Sequence, residues 1–163
     1  MEANDRLHTA FHEAGHAVIG RVVGQICGPA TIRADDNSAG HAICADPLMT
    51  YEYWDRNDKY REMSSVFRGR IMAYMAGALA EREILGADNG GAGEDERQIG
   101  WMAEELPGTS SEQARQIARL RKSTAHLVKR HRLKIHAVAA ALMLRETLAS
   151  SDIDEIIRPT AEL

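Results

Sequence analysis

Leu7-His8-Thr9-Ala10-Phe11-His12-Glu13-Ala14-Gly15-His16-Ala17-Val18-Ile19-Gly20-Arg21-Val22-Val23 decides the reading of this chain. Leu7, Ala10, Phe11, Ala14, Val18 and Val22 recur at the three- and four-residue spacing of a helix with one buried face. Asn4 or Asp5 can cap it, and Gly24, Gly28 and Pro29 are expected to stop it. His12 and His16 lie four residues apart, about 1.1 turns, so both imidazoles leave the helix on one side. Two neutral imidazoles so placed can share a Zn²⁺ ion at about 2.0–2.1 Å. Glu13 follows His12 directly. It can take a proton from an attacking water without being a ligand, and pass it on to a leaving amine.

Such a site needs a third ligand. The extended form with a glycine three residues after the second histidine and a further histidine beyond it is excluded, because Ile19 and Val22 stand there. The third ligand is therefore expected far along the chain, among His41, Glu81, Asp88, Glu94, Asp95 and Glu96. Asp95 would sit in the first turn of a helix, after the glycine-rich stretch Gly86 to Gly93. There, free backbone N–H groups would keep its carboxylate ionised. All three acids at 94–96 are equally suited to ordinary helix-start positions.

Outside this motif the chain reads as mainly helical with a small β-hairpin. Thr31-Ile32 and His41-Ala42-Ile43-Cys44-Ala45 are strand-like, and Asp35 to Gly40 has turn chemistry. Pro47 ends the second strand. A helix is expected from about Asn57 to Leu85. Its small residues Ala73, Ala76, Gly77, Ala78 and Ala80 would let a neighbour approach closely. A further helix is expected from Glu94 to about Leu106, broken by Pro107-Gly108. Ser110 or Ser111 caps a long helical stretch to Leu148 with a break near His131. A short helix then starts at Ser151-Asp152 and is closed by Pro159. The 163 residues suit one domain, with a metal-site half at 1–106 and a helical half at 110–163.

Composition excludes several classes. No run of 18 or more apolar residues exists, so no transmembrane helix is expected. The acidic start Met1 to Asp5 is not a secretory signal. Cys27 and Cys44 are too few for a disulfide framework, and two reduced thiols in a cytoplasmic protein are expected. The net charge of −4 conceals a split: residues 110–135 carry eight basic side chains and one acid, so +7 faces −11 elsewhere. That segment has no aromatic residue to stack on bases, which speaks against nucleic acid and for pairing with acidic neighbours.

Thr9 to Val18 closely resembles the zinc helix of the FtsH-type peptidase domain, the proteolytic half of membrane-anchored AAA proteases. Three further stretches match in order. Met75-Ala76-Gly77-Ala78-Leu79-Ala80-Glu81 is similar to that family's Gly-Gly-x-x-Ala-Glu helix. Gly91-Ala92-Gly93-Glu94-Asp95 is similar to its Gly-Ala-x-x-Asp segment. Ala141 to Leu148 with Ile153 to Ile156 resembles its C-terminal end. The resemblance implies that His12, His16 and Asp95 bind Zn²⁺, that Glu13 is the base, and that Glu81 orients a ligand histidine. It implies that Ala39, Gly40 and His41 flank the cleft, on a strand that pairs with extended substrate.

The departures are Ala76 for the first glycine, Ala78 for an arginine, Asn89-Gly90 for threonines, and a short connection at Pro107 to Ser111. No phosphate-binding G-x-x-x-x-G-K-[ST] loop is present in the sequence. The expected activity is therefore zinc-dependent endoproteolysis of unfolded or extended polypeptides without an ATPase of its own. A separate AAA ATPase chain and ring-like homo-oligomerisation are the partners the resemblance implies. The alternative is a non-catalytic or regulatory adaptor subunit of an ATPase–protease assembly.

Overall fold

A computed structural model describes residues 3–34, 39–57, 59 and 62–158. The chain is mainly helical with a small three-stranded antiparallel sheet. Helix α1 (Ala3–Val22) is the centre of the molecule. Strands β1 (Cys27–Thr31) and β2 (His41–Cys44) follow, then α2 (Pro47–Arg56), α3 (Met63–Leu85) and α4 (Gly93–Glu104). Helices α5 (Ser110–Arg130) and α6 (Arg132–Arg145), strand β3 (Thr147–Leu148) and α7 (Ser150–Ile157) complete it.

The first helix is buried along much of its length because it packs on α3 on one flank, α6 on another and the sheet on a third. Ala10, Ala14, Val18 and Ile19 are fully buried there and join Ile71, Met75, Ile135, Val138, Leu142, Leu148 and Ile153 in one core. Small residues set the α1–α3 spacing. A Cβ built on Gly15 would lie 2.5 Å from the Ala76 carbonyl oxygen and 2.8 Å from Ala80 Cβ. The small-residue run in α3 thus admits α1, as its composition suggests.

The sheet order is β2-β1-β3, which leaves β2 at an edge. Ala30 pairs with Ala42, Thr31 with His41 and Cys27 with Cys44, while Leu148 and Thr147 pair on the other side of β1. The third strand was not expected. The helical stretch that reads on to Leu148 stops at Arg145, and Glu146 takes a left-handed φ of 63°. Arg6 and Arg33 both hold the Glu146 carboxylate, at 3.2 and 3.1 Å. The Ile32 amide donates to its carbonyl at 2.8 Å, and so the turned chain is pinned to the sheet.

Other boundaries shift for identifiable reasons. Gly24, at φ 80°, ends α1, but Gly28 and Pro29 lie within β1 rather than in a turn. Ile32 is just past that strand, and β2 ends at Cys44. Asp46 accepts from the Leu48 amide at 2.8 Å and Pro47 occupies the first helical turn, an N-terminal signal that starts α2. The helix expected from Asn57 therefore begins at Met63, after α2 has ended at Arg56. Helix α4 ends at Glu104. Thr109, not Ser110 or Ser111, caps α5, in a reciprocal box with Glu112. Helix α7 starts at Ser150. The break near His131 is present between α5 and α6. The turn at Asp35 to Ser38 and the stop at Pro159 lie outside the described residues.

The basic segment pairs in part with acids of neighbouring helices. Arg121 donates from both terminal guanidinium nitrogens to Glu96, each at 3.0 Å, and Lys129 reaches Glu83 at 3.0 Å. No helix among the described residues is long and apolar enough to cross a membrane.

Candidate metal centre

Helix α1 delivers His12 and His16 one turn apart, with the ring centroids 4.6 Å from each other. Opposite them, the first turn of α4 delivers Asp95. Its Oδ2 lies 3.0 Å from His12 Nε2 and 3.2 Å from His16 Nε2. One ligand atom from each of the three residues falls within 4.8 Å of the others, a separation that a single ion can bridge.

The far side of each imidazole is also held. His16 Nδ1 donates to the Ala73 carbonyl at 2.7 Å, and His12 Nδ1 donates to Glu81 Oε1 at 2.7 Å. With Nδ1 held on the far side, each ring turns Nε2 toward Asp95, the nitrogen that a metal would bind once the ring is neutral. Glu81 is 1% exposed and bridges two rings, since its Oε2 accepts from His8 Nδ1 at 2.7 Å and from the Asn89 amide at 3.1 Å. Burial alone would raise its pKa. The hydrogen bonds from His12 and His8 overcome that, and the group is held below the usual carboxylate range.

The resemblance implied that Glu81 orients a histidine of the site, and Glu81 accepts from His12 Nδ1. Sequence reading did not single out His8, although His8, His12 and His16 form an unbroken series with a spacing of four on α1. That spacing is the signal that could have found it.

The six candidates for a third ligand separate cleanly. Asp88 pairs with Arg82 and accepts from the Gly90 amide. Glu94 turns to Arg97 and Gln98, and Glu96 to Arg121. Glu81 lies behind His12. His41 lines the cleft from β2, and only Asp95 faces both Nε2 atoms. The expected backbone N–H groups are not what holds the Asp95 pKa down. Burial opposes ionisation, and the two imidazoles outweigh it. The reverse effect raises His12. Burial disfavours its charge, but hydrogen bonds with Asp95 and Glu81 lift the ring to about 10. His16 moves upward as well, against its own burial, mainly through Asp95.

Glu13 is 5% exposed, and its Oε2 finds no hydrogen-bond partner among the described residues. Burial pushes its pKa up, partly offset by His16 and His12. An orphaned buried carboxylate oxygen is costly unless something in the working site satisfies it. The donor set, two imidazoles and one carboxylate with a second carboxylate beside them, suits a divalent ion of the zinc type.

These groups open into a cleft of about 450 Å³. Ala39, Gly40 and His41 form part of its rim, where the flanking strand was expected. A Cβ on Gly40 would lie 2.7 Å from the Thr31 carbonyl oxygen and 2.9 Å from Thr9 Cγ2, so a side chain there would force this rim off α1. Arg70 and Tyr74 of α3 line the same cleft, with the guanidinium stacked 4.6 Å over the ring and donating to its hydroxyl at 3.0 Å. Neither was singled out from sequence, since one arginine in a helix carries no pattern.

Comparison with protein-family models and with curated proteins gives no match to this chain. The chemistry of the site therefore carries the functional reading.

Proposed function

We propose that this chain is a zinc-dependent endopeptidase of the FtsH type that hydrolyses peptide bonds in extended or unfolded polypeptides. The observation that carries the reading is the orphaned Glu13 carboxylate beside the convergent His12, His16 and Asp95, at the floor of an open cleft. His12 and His16, through Nε2, and Asp95, through Oδ2, would hold the ion. When bound, zinc supplies Lewis-acid polarisation of the scissile carbonyl and makes water acidic enough to ionise near neutrality.

The remaining work falls to the chain itself. Glu13 accepts the proton of the attacking water at its free Oε2 and returns it to the leaving amine nitrogen. In the ion-free site burial raises its pKa above the ordinary carboxylate value, which disposes Oε2 to take up a proton. Glu81 and the Ala73 carbonyl fix the two rings so that neither swings away during turnover. Strand β2, at the sheet edge beside the cleft, offers backbone groups to an extended substrate, which gives affinity without sequence specificity.

The test is cleavage of unfolded casein without ATP by the zinc-loaded chain and by Glu13→Gln matched for zinc content. The expected result is cleavage by the former and a fall of at least about 100-fold in the latter, the scale of lost general-base catalysis. Equal activity in the two would remove Glu13 from the mechanism. No cleavage by the zinc-loaded chain would overturn the reading in favour of an adaptor role.

A further inference from the structure

Cys27 and Cys44 play no part in the site above, yet Cys44 lines its cleft and Cys27 is in contact with it. They face each other across the antiparallel β1–β2 pair, with the Sγ atoms 3.0 Å apart. The Ala45 amide donates to the Ile26 carbonyl at 2.7 Å. That bond lies just outside the Cys27–Cys44 pair, which marks the two as a non-hydrogen-bonded pair, the type with Cα atoms about 4.5 Å apart and side chains in contact. A disulfide accepts Cα separations of about 4.4–6.8 Å, so the backbone is already within range of a covalent bridge.

Both sulfurs rest on Gly20 of α1, one turn beyond His16. A Cβ at Gly20 would lie 2.7 Å from Cys27 Sγ and 3.0 Å from Cys44 Sγ. Glycine at this point gives the two thiols the room they share. Neither is sealed in the core, and Cys44 lines the cleft together with Arg70, so a small solute reaches it from solvent.

We propose that Cys27 and Cys44 form a redox-modifiable dithiol site whose oxidant is hydrogen peroxide, closing to a disulfide that cross-links β1 to the cleft-lining strand β2. Cys44 is the attacking sulfur. It is the sulfur of the pair that lines the cleft, and the contact with Cys27 and the nearby Arg70 charge favour its thiolate over that of Cys27, which burial disfavours. The Cys44 thiolate attacks one peroxide oxygen. The O–O bond breaks, hydroxide leaves and takes up a proton as water, and Cys44 becomes a sulfenic acid. The Cys27 sulfur then attacks Cys44 Sγ. The S–O bond breaks, and the departing hydroxide leaves as water with the proton Cys27 gives up. Two thiols and one peroxide thus yield one disulfide and two waters, with both electrons drawn from the sulfurs.

The experiment treats the reduced chain with one equivalent of hydrogen peroxide. It follows intact mass, free-thiol count and thermal unfolding. The expected product is a monomer lighter by two hydrogens with no free thiol, restored by dithiothreitol. Its Tm should stand about 6–12 °C above the reduced chain, the scale of a cross-link closing a loop of this length. Cys27→Ser should stop at a trappable sulfenic acid on Cys44. Cys44→Ser should react at least about tenfold more slowly, having lost the sulfur that lines the cleft. Two persisting thiols, oxidation to sulfinic acid without a bridge, or bridging only between chains would each overturn the proposal. Glu13→Gln should give the same mass and thiol readout as the parent, so the result stands apart from the peptidase reading.

Discussion

Gly77 is the position where a single added methyl should separate metal binding from folding. It lies on α3 where that helix faces His12 and His16. A Cβ built there falls 2.5 Å from His16 Nε2, 2.6 Å from His12 Nε2 and 2.7 Å from His12 Cδ2. Ordinary van der Waals contact begins near 3.4 Å, so Gly77→Ala requires both Nε2 atoms to retreat by about 0.8–0.9 Å. That is several times the roughly 0.2 Å tolerance of a zinc–nitrogen distance. Neither ring can give way freely, because Glu81 and the Ala73 carbonyl hold their far sides at 2.7 Å. Overpacking of this kind costs about 1–3 kcal/mol of stability. The displaced rings should weaken zinc by at least about 10–100-fold, as when ligand-orienting groups are lost. Competition with a chromophoric zinc chelator measures the affinity, and thermal melts in chelator measure the stability. Gly100→Ala is the control. Gly100 is exposed in α4 with nothing within 4 Å of its built Cβ, so the added methyl should stabilise the helix by about 0.5–1 kcal/mol and leave zinc unchanged. Zinc affinity in Gly77→Ala equal to that of the parent would refute the placement of the two Nε2 atoms.

Glu81→Gln keeps the shape of the bridge between His8 and His12 but removes its charge, and should weaken zinc by about 10–100-fold in the same titration. In chelator, the raised His12 pKa makes stability depend on pH. The contribution is fully present below the unfolded value near 6.5 and is lost as pH rises through about 10. Melts between these limits should therefore show a downward slope that is smaller in His12→Gln.

The arrangement of His12, Glu13 and His16 was legible in the sequence, and the reasons are local. His12, Glu13 and His16 are fixed relative to one another by helix geometry alone, so a spacing of four residues suffices to place them. Asp95 lies 83 positions from His12 and was one of six candidates. Its selection depends on how α3 and the glycine loop aim the first turn of α4, which no spacing encodes. His8 was hidden for a different reason. Its partner Glu81 is remote, and the only local sign of it is the four-residue spacing to His12. The missed α2 had a clear signal in Asp46-Pro47, which reads equally well as the end of a strand. Strand β3 is two residues long and exists because Glu146 turns the chain back onto β1, a contact across 115 positions. The thiol pair needed the β1–β2 register, and that follows from pairing rather than from the spacing of two cysteines.

The most direct measurement is zinc-edge X-ray absorption on the chain loaded with one equivalent of zinc. The account predicts two imidazole nitrogens at about 2.0–2.1 Å, the remaining scatterers oxygens at about 2.0–2.2 Å, and no sulfur. A sulfur shell near about 2.3 Å would place the ion on Cys27 and Cys44 instead, and a first shell without imidazole would contradict the centre built from His12, His16 and Asp95.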